Sequence, residues 1–199
     1  MIYLIRHGKT KGNEEHRYVG KTDEDLLPEE GKRLRDMTRP KAERIFTSPM
    51  KRCIQTAQTL YPNGKIQVVK EFTECDFGEF EYKNYEELNG DPRYQKFIDS
   101  EGRTGFPGGE TRETYTKRIV EAFAQWAKKE CTDKKEFDEK REDIAIITHG
   151  GMIMAVLETF GVPKKDYYDW QVKNGEGYAC EYAWKDDKPC LCVRYGWRM

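Results

Sequence analysis

The sequence predicts an α/β fold built on a mostly parallel sheet, and three observations carry that expectation. Two short apolar runs, Met1-Ile2-Tyr3-Leu4-Ile5 and Ile144-Ala145-Ile146-Ile147, each lead into a histidine followed by glycine. Runs of this kind read as strands buried on both faces, the pattern of a parallel sheet. Between them lie helical spacings of apolar residues, above all Tyr115, Ile119, Ala122, Phe123 and Trp126, which mark a core-facing helix from about Thr111 to Lys129. The tail alternates instead: Tyr178 to Trp184 and Cys190 to Tyr195 flank Asp186-Asp187-Lys188-Pro189, which predicts a hairpin at an antiparallel edge of the sheet.

Taken in order, the first strand stops at Arg6-His7-Gly8, at the carboxyl edge where open α/β sheets bind ligands. Residues 9–27 are polar, carry Gly12 and Gly20, and read as a loop folded over that edge. Pro28-Glu29-Glu30 opens a helix, with acids at the positive end of its dipole, that runs through Leu34 and Met37 to near Pro40. Residues 42–47 form a second strand. Ser48 is then expected as N-cap, with Pro49 at the first position of a helix reaching Leu60. Arg52 falls in its first turn, where the helix N-terminus and a guanidinium fork both favour an anion.

A third strand spans 65–69. Residues 82–112, with Asn89-Gly90-Asp91-Pro92 and Phe106-Pro107-Gly108-Gly109-Glu110, read as an irregular, lid-like insertion. Its aromatics (Tyr82, Tyr85, Tyr94, Phe97, Phe106) either line a substrate pocket or form a satellite core. Residues 128–143 hold thirteen charges of both signs among sixteen residues, the mark of a solvated segment. Residues 152–160 are an apolar helix closed near Gly161-Val162-Pro163.

The 199 residues are expected to form one domain, 1–199, because the two His-Gly strands lie at opposite ends of the chain and would share one sheet. A net charge of −1 gives no case for nucleic acid or a membrane as partner. Six cysteines without paired zinc spacing imply reduced thiols and a cytoplasmic protein; a monomer or homodimer is expected, the latter if apolar groups of the tail hairpin pair two subunits. Three histidines with no His-x-His pair leave too few ligands for a metal. Two of those three close a strand. One such histidine alone is more often a packing or capping residue, but two in matching context point to a shared pocket. His16 lacks that context and reads as a loop residue.

The run Leu4-Ile5-Arg6-His7-Gly8-Lys9-Thr10 with Asn13, the stretch Ser48 to Ala57, and Thr73-Glu74-Cys75-Asp76-Phe77-Gly78 resemble, in order, the motifs of the histidine phosphatase superfamily, also called phosphoglycerate-mutase-like. The resemblance covers nearly the whole chain. Asp76-Phe77-Gly78 and Phe106-Pro107-Gly108-Gly109-Glu110 bring it nearest the α-ribazole-phosphatase-like branch. It implies a three-layer sandwich, with helices on both faces of a mostly parallel sheet and an antiparallel edge hairpin.

It also implies a metal-independent, cofactor-free phosphomonoesterase acting on a small phosphorylated metabolite through a phosphohistidine. In that chemistry His7 is the nucleophile, kept neutral by nearby arginines. Arg6, Arg52 and His149 hold the phosphoryl oxygens. Asn13, Val19, Gly20 and the Gly150 amide complete the substrate contacts. Glu74 is the general acid and then the base that activates water, half-buried against Phe77, with Asp76 as runner-up. Lys9 stands where much of the family has Glu, and Tyr82 and Lys83 where many members carry a Gly. The alternatives are a cofactor-dependent phosphoglycerate mutase, disfavoured by the short chain, and an idle phosphate-binding module, which would have no need of the acid.

Overall fold

The computed structural model describes residues 1–131, 142–186 and 188–197. In chain order the elements are β1 (Ile2–Arg6), α1 (Lys11–Glu14), α2 (Glu30–Asp36), β2 (Arg44–Thr47), α3 (Lys51–Leu60), β3 (Ile66–Val68), α4 (Pro92–Asp99), α5 (Arg112–Cys131), β4 (Ile144–Thr148), α6 (Gly150–Phe160), β5 (Gly161–Val162), β6 (Gly177–Lys185) and β7 (Lys188–Trp197). The sheet order is β3-β2-β4-β1-β6-β7-β5. Strands β3, β2, β4 and β1 run parallel, and β6 and β7 form the predicted antiparallel hairpin beside β1.

Alternation along the two central strands divides the core. Ile2, Leu4, Ile144 and Ile146 face one layer with α5 and α6, through Tyr115, Ile119, Phe123, Met152 and Val156. Ile5, Ala145 and Ile147 face the other with α2 and α3, through Leu34, Cys53, Ala57 and Leu60. This is the expected sandwich, and it explains why β1 and β4 read as unbroken apolar runs.

Register matters more than layering for the site. Arg6 pairs with Thr148 across β1 and β4, and the His7 amide donates to the Thr148 carbonyl at 2.9 Å. Neighbouring strands lie about 4.8 Å apart. The residue after each strand therefore emerges at the same level of the carboxyl edge, and those residues are His7 and His149.

Several elements depart from expectation. Ser48 is not the N-cap of α3: Met50 is, without a side-chain cap bond of its own, while the Ser48 oxygen meets both the Met50 amide at 3.4 Å and His149 Nε2 at 2.7 Å. The loop after β1 contains the short α1, started by a capping box between Thr10 and Asn13. Residues 82–112 are not irregular throughout. Asp91 caps α4 and Pro92 occupies its first turn, so a pair read as turn punctuation is a helix start. The hairpin is not the last element of the sheet, since the two-residue β5 pairs with β7 outside it. Helix α2 starts at Glu30 and stops at Asp36, short of Pro40. Much of the charged 128–143 stretch falls in 132–141, outside the described residues. No helix among the described residues is long and apolar enough to cross a membrane.

The aromatics of 82–112 divide by position. Phe97 and Phe106 join Tyr18, Phe77 and Phe80 in a run of ring contacts with centroids 4.7–6.3 Å apart, and Tyr94 packs on Phe80 and Phe97. They form a partly buried aromatic cluster joined to the main core through Phe77 and Phe106, while Tyr82 and Tyr85 are exposed. Tyr82 sits at φ 60°, a left-handed conformation that glycine adopts without strain and that costs another residue on the order of 1 kcal/mol. Its hydroxyl donates to Glu24 at 2.8 Å, its amide to the Tyr18 carbonyl at 2.7 Å, and Arg17 lies over its ring. These contacts offset the strain.

Candidate active site

The rings of His7 and His149 meet edge to face, with centroids 5.4 Å apart. Both are buried, at 3% and 0% exposure. His7 Nδ1 lies 2.7 Å from the Gly8 carbonyl. A carbonyl only accepts, so Nδ1 carries the hydrogen and Nε2 keeps its lone pair. Ser48 Oγ sits 2.7 Å from His149 Nε2, which ties that ring to the loop after β2. Burial, then Arg52 and Arg6, hold the His7 pKa well below its ordinary value. Burial, Arg52, His7 and Arg6 do the same to His149. Both imidazoles are therefore neutral near pH 7.

Arg52 is fully buried and serves two ends. Its Nη1 donates to the Thr22 carbonyl and its Nη2 to the Gly20 carbonyl, each at 2.9 Å, with the Val19 carbonyl at 3.4 Å. These bonds pin the loop after β1 to the first turn of α3. Arg6 Nη1 donates to the Val172 carbonyl at 2.8 Å. Each guanidinium retains a buried Nε–H with no hydrogen-bond partner among the described residues. A buried cation with an unspent donor is costly unless an anion meets it. Gly150 opens α6 beside Arg6: a Cβ there would lie 3.3 Å from Arg6 Nε, so glycine lets the guanidinium and the helix amides share one hollow.

Glu74 closes the ring of residues. It is half-buried and its charge acts on Arg6. Its long-range polar partners come from α5 and α6. Phe77 packs on Tyr18 and Phe106, whereas the Glu74 carboxyl lies against Gly151 and Tyr115. Asp76 is occupied elsewhere, in an ion pair with Lys21 at 2.5 Å. The Lys21 hydrogen bond holds its pKa below the usual carboxylate value.

The remaining expected residues are placed less directly. Asn13 spends its oxygen on the Thr10 amide at 3.2 Å and on Asn174 Nδ2 at 3.0 Å, leaving its NH₂ as the donor. Val19 packs its side chain against Gly12. The Gly20 amide is taken by Glu81 at 2.9 Å, and Val19 and Gly20 meet Arg52 through their carbonyls. Lys9 is exposed, its amide held by Glu30 at 2.9 Å. His16 is an exposed loop residue at φ 55°.

Sequence reasoning missed Ser48 as a histidine partner, Tyr115 as a carboxyl partner, the Val172 carbonyl, and Asn174, which also reaches the His7 carbonyl at 3.1 Å. Only Asn174 carried a signal, the turn-forming Asn-Gly pair with Gly175 at φ 84°. Among the described residues, no group of three or more His, Cys, Asp or Glu is placed to hold a metal ion.

Two neutral imidazoles, a fully buried arginine and a half-buried one, a helix N-terminus and a carboxyl gather at the carboxyl edge of a doubly covered sheet, an arrangement suited to an anion such as phosphate. The model of the histidine phosphatase superfamily (branch 1) matches residues 2–192, and the chain belongs to that family. The Bacillus subtilis protein named uncharacterized phosphatase PhoE is 30% identical over 165 residues, covering 78% of this chain and 75% of that one. A phosphoserine phosphatase from Entamoeba histolytica, solved with 3-phosphoglyceric acid, superposes with a TM-score of 0.75 at 23% identity, covering 100% and 96% of the two chains. The α-ribazole phosphatase of Shigella flexneri superposes at 0.74 with 18% identity, covering 96% and 94%. Family membership and the phosphatase-named relatives support phosphatase activity.

Proposed function

We propose that this protein hydrolyses the phosphomonoester of a small metabolite through a phosphohistidine on His7 Nε2. The observation that carries the reading is the His7 ring itself: neutral, buried, with Nδ1 committed to the Gly8 carbonyl and Nε2 left with its lone pair. Nε2 attacks phosphorus in line with the departing oxygen, forming a P–N bond as the P–O bond breaks. Arg6, Arg52 and His149 take the equatorial oxygens, helped by the Asn13 amide and the start of α6, and stabilise the charge that spreads over them. Val19 and Gly20 contribute through Arg52, whose guanidinium they orient. Glu74 protonates the leaving alkoxide. It then takes a proton from the water that attacks phosphorus and releases the histidine.

The test is hydrolysis of p-nitrophenyl phosphate in EDTA, beside His7→Ala, followed by 3-phosphoglycerate with its bisphosphate. Activity that survives the chelator and vanishes in the variant is the expected result. Interconversion of phosphoglycerates would instead make the protein a mutase, and no turnover of any substrate would make it a binding module.

A further inference from the structure

The hydroxyl of Tyr115 touches this site and has no part in the reaction written above. Tyr115 lies in the first turns of α5, its side chain 2% exposed, within the stripe that reads from sequence as plain core. Its hydroxyl donates to Glu74 Oε1 at 2.8 Å, and the same oxygen accepts the Cys75 amide at 2.9 Å. The other oxygen, Oε2, has one long contact, from the Gly151 amide at 3.4 Å. Burial and the neighbouring Glu74 charge push the phenol well above its ordinary pKa, so the hydroxyl keeps its hydrogen and acts as a donor.

We propose that Tyr115 is a positioning residue for Glu74: its hydroxyl holds Oε1 as an acceptor and so places the transferable proton on Oε2. The proposal rests on the acid role given to Glu74 above. Two donors aimed at one carboxyl oxygen occupy its lone pairs, and a proton on that oxygen would face both donor hydrogens. Oε2 is not so encumbered. Gly151 lies close on the third side, where only glycine leaves room for the carboxyl and the phenol together. A Cβ there would lie 2.5 Å from Oε1 and 3.0 Å from the Tyr115 hydroxyl.

The support has to come from α5, because residues 73–77 have no regular secondary structure. One turn after Tyr115, on the same helix face, Arg118 donates to the Glu74 carbonyl at 3.2 Å and to Thr73 Oγ1 at 2.9 Å. It also caps the Tyr115 ring, 5.2 Å from its centroid, and is itself tied to Glu110. The helix thus holds both the main chain of Glu74, through Arg118, and its carboxyl, through Tyr115.

The experiment has two arms, run on the wild type, Tyr115→Phe and Glu74→Gln, with thermal melting as a control for folding. In the first, the ¹³C resonance of the Glu74 carboxyl, assigned by its loss in Glu74→Gln, is expected to move in Tyr115→Phe. An unmoved signal overturns the clamp whether or not the protein is active. In the second, kcat/KM is measured for glycerol phosphate, whose alkoxide needs a proton to depart, and for p-nitrophenyl phosphate, whose phenolate does not. This ratio covers only the steps up to loss of the leaving group. Tyr115→Phe should lower it about tenfold for glycerol phosphate, the scale of one lost hydrogen bond to a charged group, and under threefold for the aryl ester. An equal change on both substrates overturns the proposal if Glu74→Gln separates them. If Glu74→Gln does not separate them either, the acid role itself has failed and takes the proton placement with it.

Discussion

Ser48 Oγ lies 2.7 Å from His149 Nε2, tying the loop after β2 to the residue that ends β4. The same oxygen also accepts the Met50 amide at 3.4 Å. Cys53 Sγ, at 3.7 and 3.9 Å from the two ring nitrogens, is too weak a partner to hold the ring alone. We expect Ser48→Ala to lower kcat and raise the inhibition constant of inorganic phosphate, each about five- to tenfold, for one lost buried hydrogen bond of about 1 kcal/mol. Inhibition kinetics check this, and an unchanged constant would show that the ring is held without the serine.

The two buried histidines make stability pH-dependent in a defined direction. In the unfolded chain each titrates near 6.5, and in the folded one well below that value. Below about pH 6.5 the unfolded state binds protons that the folded state refuses, so stability falls as pH drops, by up to about 1.4 kcal/mol per pH unit for each histidine. Above about pH 7 both states are neutral and the dependence vanishes. Urea unfolding at pH 7.5, 6.5 and 5.5 measures the slope, and His149→Gln should remove about half of the histidine contribution.

Gly151 separates stability from activity. An alanine there would put a Cβ 2.5 Å from Glu74 Oε1, while a helix gains about 1 kcal/mol when alanine replaces glycine. Gly151→Ala should therefore melt within a few degrees of the wild type and lose at least tenfold in kcat/KM on an alkyl phosphate. A variant that melts normally and keeps wild-type kcat/KM would contradict this.

Two carboxylates compete for the acid role, and their partners distinguish them. Asp76 is paired with Lys21 and held ionised by it. Asp76→Asn should change kcat/KM on glycerol phosphate less than threefold, whereas Glu74→Gln should lower it by about a hundredfold or more.

Arg52 carries the loop as well as the phosphate. Replacing its fork by one ammonium leaves the carbonyls of Thr22 and Gly20 to compete for a single point charge. Arg52→Lys should cost at least a hundredfold in kcat/KM and speed tryptic cleavage between residues 9 and 27 severalfold. Limited proteolysis reads the second effect independently of the first.

The strand ends were legible because local pattern and tertiary role agree there. A buried parallel strand needs an unbroken apolar run, so Ile2 to Ile5 and Ile144 to Ile147 declare themselves, and the histidine after each follows by position. Arg52 was legible through its place in a helix start, and the α5 stripe through its period. The cap of α3 was misread because Ser48-Pro49 is a good local signal, whereas the helix starts at Lys51 with Met50 as its cap. Helix α4 was missed because Asp91-Pro92 serves a turn or a helix start equally well, and its eight residues include no buried one to show a core-facing stripe.

By itself the sequence determined the parallel core, the carboxyl edge and the residue types that gather there, since each rests on short-range periodicity and chain order. The tertiary structure alone decided which atoms meet: His7 beside His149, Ser48 on His149 across 101 residues, Tyr115 on Glu74 across 41, and Arg6 on the Val172 carbonyl across 166. Hydrogen bonds between residues so far apart leave no period or spacing in the chain. They arise only when the sheet register and the packing of α5 and α6 bring the donor and acceptor within 3 Å of each other.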